Sequence, residues 1–353
     1  MPPEDSIPRR HTGKWIGVVL LAAIAAAFLI YHLVKSQKFD WGVAAASLAH
    51  VRLPWLLLSL PAVYATYLGR ALRWSVFLRP LKDKPSLRGL LSATVIGFTA
   101  ITLLGRPGEI VRPYLIASKE GVSLTSQLAA WVLERMFDLL MALLVFGFAL
   151  ARVTASGIAV GPGLAWVLAF GGKAVALICA ILLVLLVSFR HFAEPARRRL
   201  LDALGFLPET RFRQAEKLIT AFVQGVESTR SDAALLLVLT YSILEWALIV
   251  FCYWCLANSF RGLNFSVVDV LIFMGFVSFG VVVQIPGIGG GMQVAAVLVL
   301  TELFGVRLEL ATAFAMLIWL MTFVSIVPVG LVLAFHEGLK WHNLRQIGRE
   351  ASV

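Results

Sequence analysis

The chain has 353 residues, of which 59% are hydrophobic and only 14% charged, with a mean hydropathy of +0.87. A soluble protein devotes about a quarter of its residues to charge, so this composition excludes one and leaves a polytopic membrane protein. The net charge of +11 then reads as Lys and Arg gathered in cytoplasmic loops, and not as a nucleic-acid surface.

Taken in chain order, Arg9, Arg10 and Lys14 precede an apolar stretch at 15–34. It is too long for a signal-peptide core and no small-residue cleavage site follows, so a retained anchor behind a cytoplasmic tail at 1–14 is expected. A second span, 53–69, ends at "GRALRW" and a run of cations that extends to Arg88. Arg70 and Arg73 there read first as anchors to anionic headgroups and second as substrate contacts.

The next apolar segment, 87–104, runs into "LLGRPGEIVRPY". Non-helical backbone cannot face lipid, because unpaired peptide groups cost several kcal/mol each. Gly105, Pro107 and Gly108 therefore predict a hinge facing a cavity. Pro107 suits a helix start and Glu109 its first turn, and such a half-helix favours an anion at its tip. Arg106 and Arg112 supply fork-shaped donors suited to phosphate, although Arg112 precedes Pro113, which puts helix continuity there in question.

A span at 128–151 contains "ERMFD". Glu134 and Asp138 share one face and Arg135 flanks them. Charge inside a span marks a site by default; an ion-pair network reaching the cytoplasmic surface is the other reading. A span at 165–189 leads to a basic linker, 190–232, whose apolar residues recur at helical spacing and predict an interfacial amphipathic helix. The span at 233–256 holds a lone Glu245, which either titrates or caps a polar contact. The segment 267–285 breaks at "VVVQIPGIGGGMQVAA", where Gln284, Pro286, Gly287, Gly289, Gly290, Gly291 and Gln293 form a polar, glycine-rich tip without charge. A last span, 311–335, precedes a cytoplasmic tail at 336–353. Cys179, Cys252 and Cys255 all lie in apolar spans and read as packing residues; no metal cluster and no cofactor motif is read.

Counting basic loops places both termini in the cytoplasm. The segment around 105 then enters and leaves on the cytoplasmic side, and the one around 289 on the other. The expected fold is all-α and polytopic: about six full transmembrane helices plus two Gly/Pro-broken re-entrant segments in an inverted repeat, with halves at about 15–151 and 165–335 in one domain at 15–335. A gap-free shift of 184 positions supports the repeat by pairing Gly105 with Gly289, Glu109 with Gln293 and Gly121 with Gly305.

"LGRPGEIVRPYL", "ERMFD" and "PGIGGG", in that order, resemble the flippase-like transmembrane family of the lysylphosphatidylglycerol synthases, with its G-R-x-G-E, E-R-x-x-D and P-G-G-x-G-x-x-E marks. The resemblance spans roughly 15–335. It assigns motif positions to Gly105, Arg106, Gly108, Glu109, Glu134, Arg135 and Asp138. Gln293 departs from it, standing where an acidic residue is common. The likeness implies a lipid transporter of the cell (inner) membrane that moves an anionic or aminoacylated phospholipid, or a polyprenyl-phosphate-linked lipid, between leaflets. It does not imply lysyl transfer, and no soluble catalytic domain is expected after the last span. Beside this stand two other readings: a membrane-embedded enzyme acting on a lipid-linked substrate, and a non-catalytic subunit. Membrane lipids are the expected partners, a lipid-modifying enzyme is a candidate one, and nucleic acid is not expected.

Overall fold

Glycine and proline, more than charge, decide where the helices of this chain stop and turn. The computed structural model describes residues 39–157, 162–206, 208–226, 231–282, 284–285, 287 and 289–338. The expected span at 15–34, and Pro286 at the second hinge, lie outside the described residues. Helix α1 (Trp41–Ala49), capped by the Asp40 carboxylate on the Gly42 and Val43 N–H groups, meets α2 (Leu53–Leu78) at a bend of 79°. There follow α3 (Leu87–Leu104), a 3-10 turn (Arg106–Ile110), α4 (Val111–Glu120), α5 (Leu124–Ser156), α6 (Pro162–Ala203), α7 (Glu209–Val226) and α8 (Asp232–Ser259). The chain continues with α9 (Val267–Val277), a 3-10 turn (Ser278–Val282), the two-residue strands β1 (Gln284–Ile285) and β2 (Gly289–Gly290), α10 (Gly291–Glu302), α11 (Leu308–Trp319), a π-helical turn (Leu320–Val324) and α12 (Ile326–His336).

Five helical stretches among the described residues are long and apolar enough to cross a membrane: Leu87–Leu104, Leu124–Ser156, Val167–Ser188, Asp232–Ser259 and Leu308–His336; counting the bent pair α1–α2 as one span brings the number to six. The protein is an all-helical, multi-pass membrane protein. Two elements outrun their expected bounds. Helix α2 continues nine residues past 69, carrying Arg70 and Arg73 within it, and α6 continues into the basic linker as far as Ala203. In the first case the arginines do not end the helix because carboxylates on other helices meet them, as described below.

The segment around Gly105 is a helical hairpin. Gly105 adopts φ 71° and ψ −147°, a conformation closed to residues with a Cβ, and reverses the chain. The returning arm, the 3-10 turn plus α4, lies back along α3. Gly108 sits against the Ala100 carbonyl, where any side chain would collide, and Gly97 lies against Arg112. At the open end the Glu120 carboxylate accepts from the Ser86 N–H at 3.3 Å and pairs with Lys82 at 2.8 Å. The hairpin thus begins and ends at one end of the bundle. Pro113 does not break α4: it occupies the first turn, where its missing N–H has no intrahelical partner to lose.

The second broken segment repeats the plan with different chemistry. Helix α9, opened by a capping box between Ser266 and Asp269, comes back as α10, and Gly280 abuts the Gly291 backbone between them. The reversal is a small antiparallel ribbon in which Gln284 pairs with Gly290 and Ile285 with Gly289. Gly287, Gly289 and Gly290 all take positive φ there. The two hairpins meet tip to tip, the Gly287 N–H donating to the Thr102 carbonyl at 3.0 Å.

Packing obeys the same correspondence. Helices α2 and α8 lie antiparallel, with the Arg52 N–H on the Ser259 carbonyl at one end and Arg70 beside Glu245 further along. The outgoing arm of each hairpin packs on the last span of the opposite half, α3 on α12 and α9 on α5. Gly121 (φ 69°), which caps α4, and Gly305 (φ 63°), 184 positions on and just past α10, both take positive φ. The apolar core is double. Trp74, Phe77, Leu90, Ile116 and Leu133 gather around the first hairpin, and Phe260, Phe273, Met292, Phe314 and Ile318 around the second. Along α2 the change from one core to the other falls between Tyr67 and Ala71, and along α8 between Val238 and Cys252.

Candidate functional site: an arginine and carboxylate cluster beside an apolar cavity

At that junction the charged residues of four helices converge. Helix α2 contributes Arg70 and Arg73, α5 contributes Glu134, Arg135 and Asp138, α8 contributes Glu245, and Arg112 enters from the returning arm of the first hairpin. Glu134, fully buried, is the centre. Its Oε1 accepts from Arg73 at 2.8 Å and from Arg112 at 2.7 Å, and its Oε2 accepts from Arg135 at 3.2 Å. Arg73 also reaches Asp138 at 2.8 Å and Glu245 at 3.3 Å, and donates to the Ser242 hydroxyl at 3.0 Å. Arg70 holds Glu245 at 2.5 Å, and Arg135 holds Asp138 at 2.8 Å. Burying a charge is tolerated only where it is paired, and each charge in this group has an opposite one within 3.3 Å, four guanidiniums sharing three carboxylates.

Aromatic rings complete the setting. The Arg112 guanidinium lies 4.0 Å from the Trp74 ring centre, and the Trp74 N–H donates to Gln127 at 2.9 Å. Arg70 lies 4.6 Å from the Phe98 ring. Such cation-π contacts strengthen when the cation is desolvated.

Three members of the cluster, Arg70, Arg135 and Asp138, line a cavity of about 380 Å³, within the range of small-molecule sites. Arg70, Arg106, Arg135 and Asp138 are its charged wall. The remainder is largely apolar, with Phe98, Trp246, Ile249, Val277, Phe279 and Phe323 among the lining side chains, and it draws on both halves of the chain. Thr322 and Phe323 of the π-helical turn also line the cavity. Pro328 cannot donate to the Val324 carbonyl and its ring would strike it, so the helix widens there and Ser325 donates to Leu320. Tyr67 and Thr102 hydroxyls donate to the Thr322 and Phe323 carbonyls at 3.2 and 3.3 Å. One repeat away from this turn in α5 lies "ERMFD". The first half brings side-chain charge to a position where the second brings a widened backbone.

The residues singled out in the sequence therefore separate. Glu134, Arg135 and Asp138 lie in the cluster, and Arg106 lines the cavity, paired with Glu109 three residues on. Arg112 belongs to the cluster but stands behind the wall, its side chain 4% exposed. Gln293 is elsewhere. Its Oε1 accepts the Gly290 N–H at 2.6 Å and steadies the second tip, the same three-residue reach with which Glu109 meets Arg106. Gln284 joins that tip through its backbone. Of the hinge residues, Gly105, Gly108, Gly287, Gly289 and Gly290 shape the turns; Pro107 lies in the 3-10 turn and Gly291 opens α10. Sequence reading set Arg70 and Arg73 among headgroups first and at a substrate only second, although Arg73 is wholly buried, and left Glu245 undecided. The signal was present: two arginines three apart on one helix face, and a lone carboxylate in another span in need of a cation.

No curated protein and no solved structure matches the chain significantly. A family model does: that of the lysylphosphatidylglycerol synthase TM region matches residues 15–330, and the chain belongs to this family.

Proposed function

We propose that the protein is a transporter that carries a lipid with an anionic headgroup between the leaflets of the cell membrane. The observation that supports this best is the composition of the cavity wall, in which three arginines stand among side chains that are mostly aromatic or aliphatic. A headgroup phosphate and an acyl or polyprenyl chain need those two surfaces together. Arg70, Arg106 and Arg135 would hold the phosphate. Asp138 is engaged by Arg73 and Arg135, so it acts as a counterion and not as a free base, which favours carriage over bond-making chemistry. Two hairpins of opposite direction meeting at a polar site are the plan of alternating-access carriers. Anionic phospholipids and polyprenyl-phosphate-linked lipids are the substrate classes that fit this reading.

In purified form in liposomes the protein is expected to speed leaflet exchange of a labelled anionic lipid. Arg106→Ala, which removes a wall donor whose side chain is half exposed, is expected to slow exchange by on the order of tenfold. Absence of exchange for every anionic lipid class tried would overturn the reading. It also carries a topology, with both termini cytoplasmic and the open ends of the two hairpins on opposite sides. Ser118→Cys and Val306→Cys, in a background without the three native cysteines, are expected to react with an impermeant reagent from opposite faces of the membrane. Reaction of both from one face would overturn the inverted arrangement.

A further inference from the structure

The charges around the cavity sort into two layers. Arg73, Arg112, Glu134 and Glu245 do not line it; their side chains are 0–4% exposed, and two positive charges cancel two negative ones. The wall layer is Arg70, Arg106, Arg135 and Asp138, with side chains 14%, 49%, 39% and 17% exposed. Glu109 answers Arg106 at the hairpin turn. Asp138 lies between the other two, 2.8 Å from Arg135 and 3.9 Å from Arg70. Three cations against Asp138 and Glu109 leave the wall with one positive charge in excess. The Arg70 Nη1 and Arg135 Nε atoms, both buried, make no hydrogen bond within the protein.

Charge held partly away from water is stabilised chiefly by its complement. One negative charge neutralises this wall. A dianion overshoots and leaves a buried negative charge, whereas a zwitterion leaves the excess cation in place. We propose that the cavity selects headgroups whose net charge is that of a single phosphodiester, and that Asp138 sets the selection by cancelling one of the two guanidiniums beside it. The proposal rests on the lipid-carrier reading and names the headgroup class within it. A phosphodiester of this kind occurs both in glycerophospholipids and in polyprenyl lipids joined to a sugar through one phosphate.

The test is competitive binding, read by native mass spectrometry of the purified protein in detergent. Phosphatidylglycerol, phosphatidic acid and phosphatidylcholine are offered together at about pH 8, above the second ionisation of a phosphomonoester. In a second mixture a polyprenyl monophosphoryl hexose replaces phosphatidylglycerol, and a third sets the two diesters against each other to name the source. Wild type is expected to hold the diester over both rivals by on the order of tenfold. Asp138→Asn, which raises the wall excess by one, is expected to turn the preference toward phosphatidic acid. Arg135→Gln, which removes the excess, is expected to turn it toward phosphatidylcholine. Each ratio compares lipids in one sample, so a poorly folding variant lowers all signals without altering the order. Equal occupancy, no bound lipid, or an order unchanged in both variants would overturn the proposal. Leaflet exchange measured on the same preparation separates the two ideas. Selective binding without exchange removes transport and leaves the selection standing; exchange without selection does the reverse.

Discussion

Glu134→Gln is expected to be the most damaging single-atom change in this protein. Its carboxylate is wholly buried and serves Arg73, Arg112 and Arg135 at 2.7 to 3.2 Å. The amide keeps the shape and one acceptor but removes the negative charge at the centre of the cluster. Removing one partner of a buried ion pair costs about 3–5 kcal/mol, because the remaining charges stay buried and uncompensated. The expected result is a Tm in detergent lowered by several degrees, with lipid exchange lost as well, since Arg135 is held partly by Glu134. Glu109→Gln provides the comparison. Its partner Arg106 is half exposed, and such pairs contribute about 0–1 kcal/mol, so Tm is expected to stay near that of wild type. Equal Tm values for the two variants would mean that the cluster is solvated and that its distances carry no stabilisation.

The contrast between these glutamates marks what the sequence made legible. Broken hairpins are local events. A Gly-Pro cluster inside an apolar run identifies its own position, and the helical hairpin around Gly105 and the ribbon around Gly289 lie where those residues stand. Glu134 and Asp138 were equally visible, as charge in the middle of a span. Arg70 and Arg73 were not, because hydropathy registers an arginine only as the end of a span. Whether it reaches headgroups or a carboxylate depends on a partner far away in the chain: for Arg73 it is Glu134, 61 residues on, and the Ser242 hydroxyl, 169 residues on. Arg112 shows the opposite failure. The sequence offers it as a phosphate donor at the first tip, and only the fold shows that it lies against Gly97 with Trp74 and Glu134 claiming its guanidinium. The π-helical turn had no sequence signature beyond Pro328, and proline inside a helix does not by itself say whether the helix kinks, widens or ends; Pro61, within α2, leaves that helix continuous.

Gly97→Leu is expected to disable the protein by a different route, through the backbone. A Cβ at this position would lie 2.5 Å from the Cβ of Arg112 and 3.1 Å from its Cα. The neighbour is not the free end of a flexible chain, so it cannot swing away. Arg112 is fixed on one side by Glu134 at 2.7 Å and on the other by the Trp74 ring at 4.0 Å. The two arms of the hairpin must therefore separate, and Arg112 must leave Glu134 as they do. Overpacking of a close contact costs about 1–3 kcal/mol on its own, and the buried Arg112 guanidinium parted from Glu134 adds to it. Gly97→Ala is expected to lower Tm measurably and Gly97→Leu to prevent recovery of folded protein. Gly69→Ala is the control. It too lies within a helix among buried residues, yet nothing stands within 4 Å of its added Cβ. There the gain of about 0.5–1 kcal/mol in helix propensity applies without a clash, so Tm is expected to hold or rise. A fall in Tm at Gly69 as large as at Gly97 would show that both glycines serve helix flexibility; a fall at Gly97 alone would show that contact between the hairpin arms holds the arginine cluster in place.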